Sequence, residues 1–422
     1  MALPPYFRSR LMKRNPLHYG WVIVLSGFLT VLGAHGFGRF AYSLILLPMK
    51  VGLNLDYFQM GLIATGNFIG YLTLATLGGL LASRYGSRIV ISLSALLMGA
   101  TMILTGFSVS FEHAFFARLF TGLGNGGAYL PAMALPSIWF ASKLRGRATG
   151  VVSAGIGVGF ALSGLIVPLI LRAYEAEGWR YAWYYLGATL LVIALIDYAL
   201  LRNKPEDLGL KPVGAGQSSS GGPSSTASSL RWSLVYKNWG IWLVGFIYFM
   251  YGFSYIIYVT FFAAYLQTLG WTQEVSGSLW FMVGILSILS GIIWGWVSDV
   301  LGRKYGMALA YVALTFSYLL FGVTVTTPGL YLSAIIFGIS AWSLPTVAVV
   351  AAADYVSPEL RSAAAGFVTL FFGIGQAIGP TIGGYVIEAT RVFGYSFLIA
   401  ALGSLIGAVG SLMLRKPTAS GT

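Results

Sequence analysis

Arg39 sits inside an apolar stretch that runs from about residue 18 to Pro48, four positions after His35. A guanidinium at membrane depth is costly, and it usually faces a cavity, a partner or a ligand. Its planar fork of donors matches the two oxygens of a carboxylate. His35 falls one helical turn earlier on the same face, and an imidazole exchanges its proton near neutral pH. Tyr42 and Ser43 continue that face. The chemistry suggested is an anchor for a small organic anion with a proton carrier beside it. Two other uses stay open at this point: an arginine satisfied by backbone carbonyls or snorkelling outward, and a neutral histidine hydrogen-bonded between helices.

Arg118 and Asp197 are the other charges embedded in apolar segments. Arg118 is a candidate for substrate contact or for the conformational cycle. Asp197 is a candidate proton carrier, or a partner for a loop arginine. Two embedded arginines outnumber one aspartate, and an anionic substrate would balance that field. Asn67, Asn125, Gln376, Trp342 and Ser343 add polar or amphipathic groups on helices suited to line a cavity, and Asn125 joins the substrate-site candidates. Enzyme signatures are lacking. His18, His35 and His113 have no metal-ligand spacing, and no GxxxxGK[ST] loop is present. Cysteine is absent, which removes thiolate chemistry and disulfides. No metal, cofactor or enzymatic activity is expected.

The elements that position these residues follow from composition. Of 422 residues, 57% are hydrophobic and 9% charged, against about 25% charged in a soluble protein. That excludes a soluble enzyme, a disordered regulator and an ordinary nucleic-acid binder. A membrane helix needs about 20 mostly apolar residues. Twelve candidates lie near 18–48, 57–82, 89–108, 112–140, 146–171, 181–201, 238–268, 274–298, 305–326, 328–354, 361–387 and 392–414. The first is too long for a signal-peptide core of about 7–15 residues and reads as a retained helix. Of the 25 Lys and Arg, only Lys50, Arg172, Arg180 and Arg391 fall in one set of alternate loops; Arg39 and Arg118 lie within spans, and the others fall in the opposite set or the termini. The positive-inside rule then puts both termini in the cytoplasm. The same bias accounts for the net charge of +13 without a nucleic-acid partner. A Gly/Ser-rich stretch at Gly214–Ser229 reads as a cytoplasmic linker. It divides the chain into a six-helix bundle at 1–201, a linker at 202–232 and a six-helix bundle with a tail at 233–422.

Shifting the sequence by 216 positions, the distance from Gly36 to Gly252, superimposes the halves. Tyr42 falls on Tyr258, Gly61 on Gly277, Gly86 on Gly302, Arg145 on Arg361, and Gly157 on Gly373. Parallel repeats of this kind place a transport site at their interface. The shift carries His35 and Arg39 onto Tyr251 and Tyr255, so the expected cavity has a cationic wall and a phenolic wall of Tyr251, Tyr255 and Tyr258.

Gly295-Trp-Val-Ser-Asp299-Val-Leu-Gly302-Arg303-Lys304 resembles the loop motif of the major facilitator superfamily, and Gly79-Leu-Leu-Ala-Ser83-Arg84-Tyr-Gly86-Ser-Arg88 is its first-half copy, with serine where aspartate is usual. Arg118-Leu-Phe-Thr-Gly122-Leu-Gly124 resembles the superfamily's fourth-helix motif. The resemblance implies an all-α membrane protein of twelve helices in two bundles, working by alternating access, with Asp299, Arg303, Asp354 and Arg84 as gating candidates. His18-Tyr-Gly-Trp-Val-Ile-Val and Pro205-Glu-Asp-Leu-Gly-Leu-Lys-Pro212 are similar to segments of monocarboxylate and oxalate–formate type transporters, and Gly36-Phe-Gly-Arg39-Phe-Ala-Tyr42 resembles a bacterial subgroup called YbfB-like. These likenesses imply a monomeric, proton-coupled carrier of a small organic anion in a bacterial inner membrane. The other reading they leave open is an exporter of amphipathic or drug-like compounds, which suits an aromatic content of 15%.

Overall fold

The computed structural model describes residues 18–214 and 233–415. The basic residues Arg8, Arg10, Lys13 and Arg14 lie outside this range, as does the Gly/Ser stretch beyond Gly214. Among the described residues the fold is helical, and the single β contact is an isolated bridge between Phe140 and Val213. The long helices of the first half are α1 (Gly20–Gly52), α2 (Tyr57–Tyr85), α3 (Ser87–Gly106), α4 (Phe111–Trp139), α5 (Ser142–Tyr174) and α6 (Gly178–Leu200). Those of the second are α7 (Trp239–Thr268), α8 (Gln273–Leu301), α9 (Arg303–Val323), α10 (Thr327–Ala353), α11 (Arg361–Thr390) and α12 (Phe393–Leu412). Among the described residues ten stretches are long and apolar enough to cross a membrane; one of them, Ser142–Leu200, contains both α5 and α6, and α4 is not among the ten. Large apolar side chains such as Leu195 and Leu402 are exposed. Such surface is costly in water and natural against lipid.

Helix ends follow local rules. Asp56 caps α2 in a reciprocal capping box with Gln59. Gly86 and Gly302, both at φ 86°, turn α2 into α3 and α8 into α9. That angle favours glycine, and the two residues are equivalent under the 216-position shift.

Two helices are interrupted where the sequence reading drew continuous spans. In α1, Leu32–Phe40 is π-helical, and the Ala41 N–H reaches back to the Gly36 carbonyl. Two carbonyls of this segment accept from α4: Asn125 Nδ2 donates to Ala34 O at 2.5 Å, and Arg118 Nη2 donates to Gly38 O at 2.7 Å. A Cβ on Gly36 would collide with the Gly159 backbone, so α1 and α5 touch through bare glycine. In α10 the helix breaks at Ala341–Trp342. Pro345 has no N–H and fits the first turn of the restarted segment Ser343–Ala353. Tyr251 Oη donates to the Ala341 carbonyl, and the Trp342 N–H donates to Ser290 Oγ at 2.9 Å. Breaks at membrane depth are tolerated only when freed backbone groups find partners in this way.

Within the first half α2 packs on α4, and α3 on α4 and α6; within the second, α7 packs on α11 and α12, and α9 on α12. The halves meet along two seams, α2 with α11 and α5 with α8.

Candidate functional site

The seams are closed at one end. There, Thr65 Oγ1 donates to Ala377 O at 2.5 Å, the Tyr57 N–H donates to Glu388 Oε2 at 3.2 Å, and Trp280 Nε1 donates to Ser163 Oγ at 3.1 Å. Arg172 and Glu274 face each other across α5 and α8 at 3.8 Å. At the other end, which carries the Lys/Arg-rich loops, the halves separate around a cavity of about 810 Å³. Its walls run from His35 and Arg39 at mid-depth to the exposed Arg147 and Gly150.

Arg39 stands at the inner end of this cavity and is 7% exposed. Its guanidinium lies over the rings of Tyr71 (4.3 Å) and Phe68 (4.6 Å). Its Nε and Nη2 have no hydrogen-bond partner. His35 packs against Tyr129 with ring centroids 4.0 Å apart, and its Nδ1 is also unpartnered. Opposite them, Tyr255, Tyr248 and Gln376 line the second-half wall, with Gln376 Nε2 donating to Tyr255 Oη. Among the described residues, no Asp or Glu lines the cavity. Donors without acceptors make a site that can bind an oxyanion and strip it of water.

Behind Arg39 is a second, small space of about 20 Å³, bordered by Arg39, Tyr42, Ser43, Asn67, Arg118 and Thr260 among others. Arg118 is 1% exposed and stacks over Trp183 at 4.6 Å; besides its bond to Gly38 O, its Nε and Nη1 are free. Tyr42 donates to Met60 O at 2.7 Å.

Other expected site residues lie elsewhere. Tyr251 and Tyr258 do not line the cavity: Tyr251 is spent on the Ala341 carbonyl, and Tyr258 lies in an aromatic cluster bonded to Ser333 at 3.0 Å. Asn125 is buried against α1 rather than in the cavity. Asp197 accepts from Ser26 Oγ (2.6 Å) and Thr30 Oγ1 (2.8 Å), inside the first half and away from the cavity, and makes no ion pair among the described residues. At the basic end Arg303 Nη1 bonds Asp299 at 2.6 Å, and its Nε lies 3.7 Å from Asp354. Arg84 is exposed over Tyr85 and makes no ion pair among the described residues.

Tyr71, Tyr129 and Tyr248 are among the cavity residues that sequence reasoning missed. The repeat held a usable signal for two of them. The 216-position shift carries Tyr71 onto Ser287 and Tyr129 onto Pro345, and all four line the cavity, as do Arg39 and Tyr255, and Ser153 and Thr369. These four equivalent pairs are polar or kinked in both repeats, although Tyr42 and Tyr258 share that pattern and do not line the cavity.

Comparisons with known proteins agree with this architecture. The family model described as Major Facilitator Superfamily matches residues 28–346 and 244–422. A protein named "probable sulfoacetate transporter" from Cupriavidus necator is 25% identical over 393 residues, covering 88% of this chain and 87% of that one. The hexuronate transporter of Bacillus subtilis is 22% identical, covering 90% and 91%, and monocarboxylate transporter 12 of Rattus norvegicus is 23% identical, covering 93% and 84%. Among solved structures, an inward-facing, occupied bacterial homologue of the human lysosomal transporter Spinster superposes with a TM-score of 0.78 at 15% identity, covering 96% of this chain and 98% of that one. The inward-open xylose transporter XylE from E. coli superposes with a TM-score of 0.75 at 15% identity, also covering 96% and 98%. With family motifs in both halves, a parallel repeat and a cavity where the repeats meet, the chain belongs to the major facilitator superfamily and is a transporter, not an enzyme.

Proposed function

We propose that the protein moves a small organic anion of carboxylate type by alternating access. The observation that carries this reading is Arg39: a buried cation at the inner end of the cavity with two unpartnered donor nitrogens and no acidic residue in the lining. Three relatives are named for sulfoacetate, hexuronate and monocarboxylates, all organic anions, which supports the same substrate class. Direct binding to the purified protein tests it. Small carboxylates and sulfonates should bind, while organic cations of similar size should not. The second reading, export of amphipathic compounds, draws on the aromatic lining by Tyr71, Tyr129, Tyr248, Trp342 and Phe372. Tight binding of lipophilic cations, with no effect of small anions, would favour it.

In this reading all twelve long helices cross a bacterial inner membrane, as two bundles at 1–201 and 233–422 joined by a linker at 202–232, and the protein works as a monomer. The Lys/Arg-rich end is cytoplasmic, so the described conformation is open to the inside. The chain has no cysteine. A single cysteine introduced at Ser219 is therefore expected to resist an impermeant thiol reagent in intact cells and to react once the cells are permeabilised. Ready labelling in intact cells would reverse the orientation. Arg303, with Asp299 and Asp354 around it, acts as the gating group at the cytoplasmic end, and Arg84 is its weaker first-half counterpart.

Coupling to protons rests on His35 and Asp197. Asp197 is a carboxyl group at membrane depth held by two hydroxyls of α1, with no cation beside it among the described residues. Ser26 and Thr30 precede the π-helical segment that carries His35 and Arg39. Protonation of Asp197 loosens its hold on α1 and so reaches the anion site through that helix. Asp197→Asn in proteoliposomes is expected to keep substrate exchange at equal pH but to lose accumulation driven by a pH gradient. If gradient-driven accumulation persists in Asp197→Asn and disappears in His35→Gln, the proton resides on His35.

A further inference from the structure

We propose that the substrate is a dianion with two oxyanion groups on one short skeleton, held by Arg39 on one and Arg118 on the other. The proposal rests on the organic-anion reading above and narrows it. Arg39 borders both the large cavity and the small space behind it, and Arg118 borders the small space. Each arginine is more than nine-tenths buried, and each keeps two nitrogens without an acceptor. Among the described residues, no carboxylate borders either space.

Arg118 is not used up by its structural bond. Nη2 serves the Gly38 carbonyl of the π-helical segment, while Nε and Nη1 stay free. Ser43 and Thr260 add hydroxyl groups to the same small space. Its volume of about 20 Å³ fits one water-sized group, which is the size of one carboxylate or sulfonate oxygen. A monoanion on Arg39 leaves the second buried guanidinium uncompensated. A dianion reaching past Arg39 neutralises both and gives each a charge-assisted hydrogen bond.

The test is calorimetry on the purified full-length protein at fixed ionic strength and neutral pH. The probes are two matched sets: acetate against malonate, succinate and glutarate, and methanesulfonate against sulfoacetate. A dianion is expected to bind at least about tenfold tighter than its matched monoanion, with a maximum at one chain length, because two fixed guanidinium groups select a spacing. Arg118→Gln is expected to bring the dianion-to-monoanion ratio close to one. Thr260→Val, which keeps both charges, should reduce the ratio less. Should Arg118→Gln fail to fold, the chain-length series on the unaltered protein decides alone. Monoanions that bind as tightly as dianions overturn the proposal and leave the organic-anion reading standing. A dianion advantage independent of chain length also overturns it, since general attraction to a chain of net charge +13 explains that. Binding of neither class overturns the organic-anion reading itself.

Discussion

Arg39→Gln is expected to lose substrate binding by about a hundredfold while the protein stays folded. The size follows from what the side chain offers. Two free donor nitrogens, each worth roughly 1.5–3 kcal/mol toward a charged acceptor, add up to at least two decades of affinity. The folded state should tolerate the change because the native residue is itself a cost: a buried guanidinium whose Nε and Nη2 have no partner. Removing it ends that desolvation penalty, although its stacking on Tyr71 and Phe68 is lost as well. The melting temperature without substrate should therefore stay level or rise. Arg39→Lys keeps the charge but gives up the planar fork, and is expected to weaken binding by about tenfold. The opposite pattern, a destabilised Arg39→Gln protein whose folded fraction binds normally, would mean that the arginine serves the fold. Measuring melting temperature and affinity on the same samples separates the two.

That Arg39 and His35 share the cavity could be read from the sequence because a charge in an apolar run has few uses. The 216-position shift also placed Tyr255 opposite Arg39. It misplaced Tyr251 for a physical reason. The shift assumes that both copies wind alike, but α1 is π-helical over Leu32–Phe40 while α7 is a regular helix throughout Trp239–Thr268. The wider i→i+5 turn rotates residues that precede it relative to an α-helix. His35 therefore shares the cavity lining with Tyr248 rather than with Tyr251. Tyr251 points instead at the break in α10, whose cause, Pro345, was visible but whose freed carbonyl at Ala341 was not. Asn125 is the same kind of case from the other half. An amide on a glycine-rich helix suits a cavity, yet here it donates to the Ala34 carbonyl inside the π-helical segment. Sequence periodicity reports which residues are inside. It does not report where a helix departs from its period, and the polar side chains here follow those departures.

Gly277→Val is expected to stop transport and to leave the protein open at the end that is closed in this structure. At the closed end, a Cβ on Gly277 would collide with Gly164 O and Pro168, and a Cβ on Gly61 would collide with the Pro380 carbonyl. These are one contact repeated. The 216-position shift carries Gly61 onto Gly277 and Gly164 onto Pro380, so the α2–α11 and α8–α5 seams shut through the same close approach of bare backbone. Overpacking by a branched side chain costs about 1–3 kcal/mol, and each 1.4 kcal/mol shifts a two-state balance by about tenfold. One substitution is thus enough to turn over a conformational equilibrium of a few kcal/mol. Thr65→Cys supplies the readout, since Thr65 is bonded across the other seam to Ala377 and Thr381. An impermeant thiol reagent should label Thr65→Cys faster when Gly277→Val is also present, although the two positions lie on different seams. The glycines at the basic end behave differently in this conformation. Gly79, Gly150 and Gly366 have nothing within 4 Å of an added Cβ, so Gly150→Val meets no clash in the state described and should leave Thr65→Cys as protected as before. Transport at the unaltered rate by Gly277→Val, with labelling of Thr65→Cys unchanged, would show that the seam yields to the extra side chain and that bare glycine contact is not what holds this end shut.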